Sequence, residues 1–396
     1  MALSIDPAKW RARRGMERLL AALGADEGLT RYVGGAVRDD LLDLSVSDVD
    51  LATRLEPPEV VERLEAARIK AVPTGIDHGT VTAVSDGHPY EVTTLRRDVS
   101  TDGRRATVAF TSDWEEDAAR RDFTINALSA DPRTGEVHDY FGGADDLLAR
   151  HVRFIGDPLK RIGEDHLRIL RYFRFHARFG AGAPDPAALE ACTARANDLM
   201  ALSRERIADE LLKLLALSDP APTVRIMVDR AILKPVLPEI AAGGVAKLEA
   251  LIATEARAGT PPDGLRRLAA LLPPDRTIGE TVAARLKLSN KARKRIACAV
   301  ACDVEASPKA LAYRLGNDCA VDRLLLAGRA ADASVIEGWR APKLPIGGGA
   351  LIARGLREGP IVARTLRRIE DRWVERGFPD GEELDTIVAE ALAGAS

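Results

Sequence analysis

Residues Tyr32 to Ala52 read Tyr-Val-Gly-Gly-Ala-Val-Arg-Asp-Asp-Leu-Leu-Asp-Leu-Ser-Val-Ser-Asp-Val-Asp-Leu-Ala, and this run constrains the fold more than any other stretch of the chain. Thr30 to Val33 is short and β-prone, Gly34-Gly35 interrupts it, and Ala36 to Leu42 is made of helix formers. The pattern predicts a strand, a glycine turn and a helix N-terminus. Such a turn can cradle phosphate, because glycine lets a ligand approach the backbone and the free N–H groups of a helix start favour an anion. Ser45 to Asp48 then turn the chain into a second expected strand, Val49 to Ala52. Asp48 and Asp50 are two apart, so on a strand both carboxylates project from one face. Magnesium used in phosphoryl or nucleotidyl transfer takes oxygen ligands, keeps several waters and binds through one or two carboxylates plus substrate phosphates. Gly-Gly or Asp-x-Asp alone reads as a turn or a solvated loop. Their combination, in this order and about a dozen residues apart, is far more specific.

The run resembles the signature of the class II nucleotidyltransferases of the polymerase-β superfamily, the family of tRNA CCA-adding enzymes and bacterial poly(A) polymerases. A second motif follows. Arg120-Arg121-Asp122-Phe123-Thr124-Ile125-Asn126-Ala127 matches the family's Arg-Arg-Asp-Phe-Thr-x-Asn-Ala. A guanidinium suits a triphosphate or ribose oxygen, and a carboxylate can accept from a 2′-hydroxyl. Read without the resemblance, Phe123, Ile125 and Ala127 would be one buried strand face with solvated charges beside it.

The third stretch is Asp157 to Phe179. Asp165, Arg168, Arg171 and Arg174 recur at intervals of three and predict a polar stripe on a helix, with Ile169, Leu170, Phe173 and Ala177 largely on another face. Glu164-Asp165-His166-Leu167-Arg168 matches the family's Glu-Asp-x-x-Arg motif. Cytosine and adenine both carry an exocyclic amine beside a ring nitrogen acceptor, whereas uracil and guanine present a carbonyl and an N–H there. A carboxylate at Asp165 with a guanidinium at Arg168 would therefore accept C and A and leave like groups opposed for U and G. The resemblance implies such a protein template with no nucleic-acid template. Ser203 to Glu210 opens another expected helix and resembles the family's Glu-Arg-x-x-x-Glu motif, which would brace the template helix.

Between these motifs the chain predicts a helix from Trp10 to Leu23 ended by Gly24, a helix over Pro57–Ala67, and strands at Ala71–Thr74, Thr80–Ser85 and Tyr90–Leu95. Asp86-Gly87 signals a hairpin turn between the last two strands. Glu91 lies on the second of them, where it could be a third acidic ligand or a solvated glutamate. Arg96 to Phe110 is polar and glycine-containing, and predicts a mobile loop ending in a short strand. CCA-adding members of the family have a flexible loop here that A-adding relatives lack or shorten. Asp139-Tyr140-Phe141-Gly142-Gly143 closes the expected catalytic domain. Beyond about residue 220 the chain reads as helical, with a basic cluster at Lys287, Lys291, Arg293, Lys294 and Arg295, glycine breaks at Gly347–Gly349 and Gly355–Gly359, and Arg364, Arg367, Arg368, Arg372 and Arg376 in the last long helices.

Length and composition agree with that plan. A chain of 396 residues exceeds the size of one growing core, and 46% apolar with 30% charged residues is ordinary for a soluble protein. No apolar run approaches a bilayer span of about 20 residues and the N-terminus lacks a signal-peptide plan, so no membrane association and a cytoplasmic location are expected. Four scattered cysteines predict core thiols, not a disulfide framework; Cys298 and Cys302 lack a second Cys or His pair for zinc. A net charge of −3 argues against indiscriminate polyanion binding, leaving local basic faces to hold RNA.

The resemblance covers the first ~215 residues closely. It implies an α+β chain: a nucleotidyltransferase head over 1–150 with a small mixed β-sheet and helices, then an all-α remainder comprising a neck over 151–220 with the base-selecting template, a body over 221–330 and a tRNA-binding tail over 331–396. It further implies Mg2+ as cofactor and CTP, ATP and the tRNA acceptor arm as partners, with no obligate protein partner. Asp48 and Asp50 would hold metal, with Glu91 as the further candidate. Gly34, Gly35 and Arg38 would hold the triphosphate, Arg121 and Asp122 phosphate and ribose, and Asp165 with Arg168 the base, supported by Arg171 and Arg174. Departures are few: Asp43 stands where a glycine is usual, and Ile162 and Tyr172 replace commoner residues flanking the template. A CC-adding, A-adding or poly(A)-adding relative is the neighbouring reading. An inactive RNA-binding protein on this scaffold, or a metal-dependent phosphohydrolase, is disfavoured by the intact motifs and by six dispersed histidines.

Overall fold

A computed structural model describes residues 3–76, 79–102 and 105–395. The chain forms two compact units, one of residues 1–203 with 230–236, the other of 204–229 with 237–396.

The first unit opens with α1 (Pro7–Arg11) and α2 (Met16–Ala22), not the single helix expected over Trp10–Leu23. Gly15 breaks it. Its φ is 75°, and a Cβ there would stand 2.6 Å from the Ser85 carbonyl oxygen, so the chain turns where the sheet leaves no room for a side chain. Then come β1 (Thr30–Val33), α3 (Gly35–Leu41), β2 (Asp50–Thr53), α4 (Pro57–Ala66), β3 (Lys70–Gly75), β4 (Thr80–Ser85) and β5 (His88–Thr94). With β8 (Ser129–Ala130) and β9 (Val137–His138) they build a mixed sheet of order β3-β4-β5-β2-β1-β8-β9. β2 is central: it pairs antiparallel with β1, Val33 opposite Asp50, and parallel with β5, Leu51 opposite Val92. Asp86 and Gly87, both at positive φ, make the tight β4–β5 turn that the Asp-Gly pair predicts.

Arg96–Phe110 differs from the expected loop. It forms a separate two-stranded hairpin, β6 (Arg96–Asp102) with β7 (Arg105–Phe110). The β-branched Val99, Thr101, Thr107 and Val108 flank an Asp-Gly pair there, which is a hairpin signal that polarity obscured. Gly103 and Arg104, within the segment expected to be mobile, lie outside the described residues.

Short helices α5 (Trp114–Ala119), α6 (Gly143–Leu148) and α7 (Pro158–Glu164) lead to α8 (Arg168–Phe179) and α9 (Pro186–Ala194). The apolar face of α8 is buried through Ile169, Leu170, Tyr172, Phe173, Phe175 and Phe179. It docks on the head through rings: Phe123 lies 5.0 Å from Phe154 and 5.1 Å from Phe175, and Phe154 stacks on Tyr172 at 5.5 Å. Aromatic pairs of this kind add about 0.5–1.5 kcal/mol beyond their buried area. Phe123, Ile125 and Ala127 are buried, but across a single 3-10 turn at Thr124–Asn126 and not on a strand.

The second unit is helical among its described residues: α10 (Arg204–Leu215), α11 (Ala221–Asp229), α12 (Ala242–Ala258), α13 (Gly264–Leu271), α14 (Arg276–Arg285), α15 (Asn290–Ala299), α16 (Pro308–Leu315), α17 (Asn317–Leu326), α18 (Ala330–Ile336), α19 (Gly348–Ala353), α20 (Pro360–Glu375) and α21 (Gly381–Ala393). One of its cores gathers Leu251, Leu324, Leu325 and Ile336, and another Leu351, Ile369, Trp373 and Ile387. Between α12, α13, α15 and α17 lies a buried ionic lattice. Glu255 accepts from Arg266 at 2.6 Å and from Arg267 at 2.8 Å, and Asp322 accepts from Arg266 at 2.9 Å and from Arg295 at 2.6 Å.

Two expectations change here. Arg295 belongs to this lattice and not to an open basic patch, because Asp322 and Asp263 draw it inward. Cys298 is bonded to Cys319, with Cα atoms 6.1 Å apart, so these two are not free core thiols: α15 and α17 pack side by side and bring together cysteines 21 residues apart. Cys192 and Cys302 remain free. Among the described residues no helix is long and apolar enough to cross a membrane.

Candidate active site

The site is built where β1 ends and β2 begins. Gly34 takes φ 68° and ψ −129°, a conformation open to glycine and strained for residues with a Cβ, and so turns β1 sharply into α3. A Cβ on Gly34 would stand 3.0 Å from Arg121 Nη1, which fixes that guanidinium against the turn. Opposite Val33, at the head of β2, stands Asp50. Asp48 lies in the loop just before the strand and not on it, yet both aspartates line one cavity of about 510 Å3 together with Glu91 of β5. Arg13 braces that loop, donating to the carbonyls of Ser47 at 2.8 Å and Val46 at 2.5 Å.

Burial pushes the Asp50 carboxyl above its usual range, and the neighbouring charges of Glu91 and Asp48 push it further, with Arg121 offsetting only part. Convergence of like charge on one carboxylate costs free energy unless a cation joins it. Among the described residues, no three acidic, histidine or cysteine side chains are gathered closely enough to cage an ion. The donor set fits a hard divalent cation that takes two carboxylates and completes its shell with water and substrate phosphate.

On the other side of the glycine turn lies a buried relay. Arg38, 5% exposed, turns inward: it donates to Asp39 at 2.6 and 2.8 Å and to the side-chain oxygen of Asn126. Asn126 Nδ2 donates to Asp122 at 2.9 Å, and the other oxygen of Asp122 accepts from Arg171 at 2.6–2.8 Å. Burial would raise the Asp122 pKa, but Arg171 and Asn126 outweigh it and hold the carboxyl below its usual range. The glycine turn, the Arg-Arg-Asp motif and α8 are thus one hydrogen-bonded assembly.

The polar stripe of α8 is shorter than its spacing predicts. Asp165 is not helical; it sits extended at the break between α7 and α8, and its carboxylate accepts from Leu167 N at 3.0 Å. An aspartate there caps a new helix more readily than it continues the old one. Arg168 donates to Glu164 at 2.5 Å and to the carbonyls of Arg161 and Arg120 at 3.0 and 3.1 Å. Arg171 and Arg174 cover Phe175 at 5.4 and 4.6 Å, while Arg38 and Arg178 cover Phe179 at 4.1 and 4.8 Å. Four guanidiniums around two phenyl rings make a locally cationic wall suited to a polyphosphate.

Asn126, Arg13 and Arg178 are additions to the residues expected from sequence. Arg178 continues the arginine spacing by one helical turn and carries a local signal. Arg13 and the Arg38–Asn126 contact do not, since these contacts span 33 to 34 and 88 residues of the chain.

Comparison with known proteins decides the family. Residues 30–153 match the poly A polymerase head domain, and residues 183–243 the probable RNA and SrmB-binding site of polymerase A. The chain is 32% identical to human mitochondrial CCA tRNA nucleotidyltransferase 1 over 92% of its own length and 87% of that protein. The chain belongs to the CCA-adding tRNA nucleotidyltransferase family. It is also 34% identical to the CCA-adding enzyme of Streptococcus gordonii, over 90% of this chain and 92% of that one. Among solved structures, the Bacillus stearothermophilus CCA-adding enzyme in complex with CTP matches with a TM-score of 0.75 and 26% identity, covering 96% of this chain and 98% of the other. The mixed-sheet head and helical remainder are therefore the fold of the CCA-adding family, and the resemblance of the Tyr32–Ala52 run extends to the whole chain.

Proposed function

We propose that the chain adds or repairs the 3′-terminal CCA of tRNA from CTP and ATP, with Asp48 and Asp50 holding magnesium. The observation that carries this reading is the convergence of Asp48, Asp50 and Glu91 on one cavity beside a glycine turn backed by Arg121. A divalent ion bound by the two aspartates supplies charge neutralisation to the phosphates and acidifies the attacking hydroxyl. Gly34 and Gly35 give the triphosphate close access to the backbone, and Arg121 pairs with its phosphate oxygens. Arg174 and Arg178 add positive potential, while Arg38 and Asp122 act mainly by fixing Asn126 and Arg171. The 3′-oxygen of the RNA bonds to the α-phosphorus, the bond to the bridging β-oxygen breaks, pyrophosphate leaves with the electron pair, and the hydroxyl proton passes to water.

Asp165 and Arg168 remain the proposed base readers. Support comes from their position at the α7–α8 break, where Arg168 is tied to Arg120 of the catalytic motif by a 3.1 Å hydrogen bond. Head, neck, body and tail over 1–150, 151–220, 221–330 and 331–396 remain the proposed functional segments. In the tail, Arg364 and Arg367 of α20 are exposed and make no ion pair among the described residues, which favours them over Arg372 and Arg376, both bound to Glu390, as phosphate contacts. Extension of tRNA by Asp48→Ala tests the site. Loss of incorporation with tRNA binding retained is expected; substantial residual incorporation contradicts the metal assignment.

A further inference from the structure

We infer that His166 is a positioning residue for base selection: tethered by Asp198, it holds open the α7–α8 break that carries Asp165 and Arg168. The inference rests on the proposed role of those two residues as base readers. The Glu-Asp-x-x-Arg pattern leaves position 166 unspecified, so the assignment comes from this chain's own contacts. A carboxylate discriminates between bases only while its direction is fixed, because one that can turn away from a wrong carbonyl no longer penalises it. Asp165 stands outside both helices, at φ −152° and ψ 109°, where no helical ladder of its own restrains it. The last carbonyls of α7 need other partners at such a junction.

Side chains just beyond the break supply those partners. Arg168 Nη1 donates to the Arg161 carbonyl at 3.0 Å, and His166 Nδ1 lies 3.0 Å from the Ile162 carbonyl. A carbonyl only accepts, so Nδ1 carries the proton. In a continued helix these two carbonyls would accept from the backbone N–H groups of Asp165 and His166. The guanidinium and the imidazole therefore take the place of the bonds that would carry α7 through the base reader. Asp198 fixes the imidazole in turn. Its carboxylate stands 3.7 Å from Nδ1, beside a histidine side chain only 17% exposed, and is itself held by Arg195 Nε. A carboxylate there favours the Nδ1-protonated ring and orients it toward Ile162. Asp198 belongs to a 3-10 turn over Ala196–Ala201, after α9, so the break is anchored to a segment some thirty residues further along the chain. The chain of contacts runs from Arg195 through Asp198 and His166 to Ile162, with Asp165 beside its centre.

Single-nucleotide incorporation by the full chain tests this, with CTP or UTP offered to tRNA lacking CCA and ATP or GTP to tRNA ending in CC. His166→Ala should lower the CTP-over-UTP and ATP-over-GTP ratios of kcat/KM about three- to tenfold, the range one hydrogen bond commands, with KM for tRNA within about twofold of wild type. His166→Asn, whose Nδ2 replaces Nδ1 as donor, should restore both ratios. Asp198→Ala should lower them in the same direction, and it carries the test if His166→Ala does not fold. Unchanged ratios in an active His166→Ala enzyme, including an equal loss for all four nucleotides, would overturn the positioning role, as would failure of His166→Asn to restore them. Asp165→Ala separates this inference from the one beneath it. Ratios unchanged in Asp165→Ala overturn the base readers themselves, whereas ratios that collapse there and hold in His166→Ala overturn the tether alone.

Discussion

Asp50 concentrates the residue-scale argument. Its pKa is raised by burial and by Glu91 and Asp48, so in the metal-free protein its charge opposes folding. Stability associated with its protonated form is present below the ordinary carboxylate pKa and is lost as pH rises through the raised folded value. Asp50→Asn should therefore raise the melting temperature of the metal-free protein at pH 7, and the gain should vanish at pH 3; urea or thermal unfolding across that range checks it. Added Mg2+ should stabilise the wild type and not Asp50→Asn. Asp122 has the opposite sign. Its depressed pKa contributes stability above the ordinary carboxylate range that is lost as pH falls through the lower folded value. Asp122→Asn leaves Arg171 without its buried partner and should destabilise by about 3–5 kcal/mol. At this scale the sequence was most legible where chemistry is contiguous: Gly34-Gly35, Asp48-x-Asp50 and Arg121-Asp122 each carry a local signal. Arg38 shows the limit, since nothing near it in sequence indicates that Asn126 and Phe179 enclose it.

Elements act here through their junctions. The relay from Arg38 through Asn126 and Asp122 to Arg171 ties α3 to α8, so the glycine turn proposed to hold phosphate and the helix proposed to flank the base are fixed together. Asn126→Ala should raise KM for both CTP and ATP about tenfold, with tRNA affinity little changed; Asn126→Asp, which places a carboxylate beside Asp122, should be worse. Separate nucleotide and tRNA titrations distinguish these effects. The β6–β7 hairpin is the other informative element. The resemblance ties this segment to addition of the full CCA, so replacing residues 97–109 by a short linker should stop the product short of CCA. Product sizing on a gel checks that outcome. The helix and strand periods of α4, β4, β5 and α10 could be read directly, because each has one buried face. The split of α1 from α2 and the break at Asp165 could not, as both depend on what the backbone meets: the Ser85 carbonyl in one case, the capping of Leu167 N in the other.

For the whole molecule, two compact units divide the work proposed for them. The first carries the cavity, the glycine turn and the arginine wall; the second is helical, with its ionic lattice buried between helices. Glu255→Gln should destabilise the second unit by about 3–5 kcal/mol while leaving nucleotide binding by the first intact. That lattice and the Cys298–Cys319 bond were invisible in sequence, because helix periodicity reports which face is buried and not which charges or thiols meet there. The family and the fold class were visible, because the Tyr32–Ala52, Arg120–Ala127 and Glu164–Arg168 motifs occur in one order along the chain. Templateless completion of CCA is the activity proposed for the chain, and the length of the product tests it most directly. Incubated with tRNA ending at the discriminator base, the enzyme should add two nucleotides with CTP alone, none or few with ATP alone, and three with both. Stopping at two nucleotides with both present, adding A only to an existing CC end, or building a long A tract would contradict it.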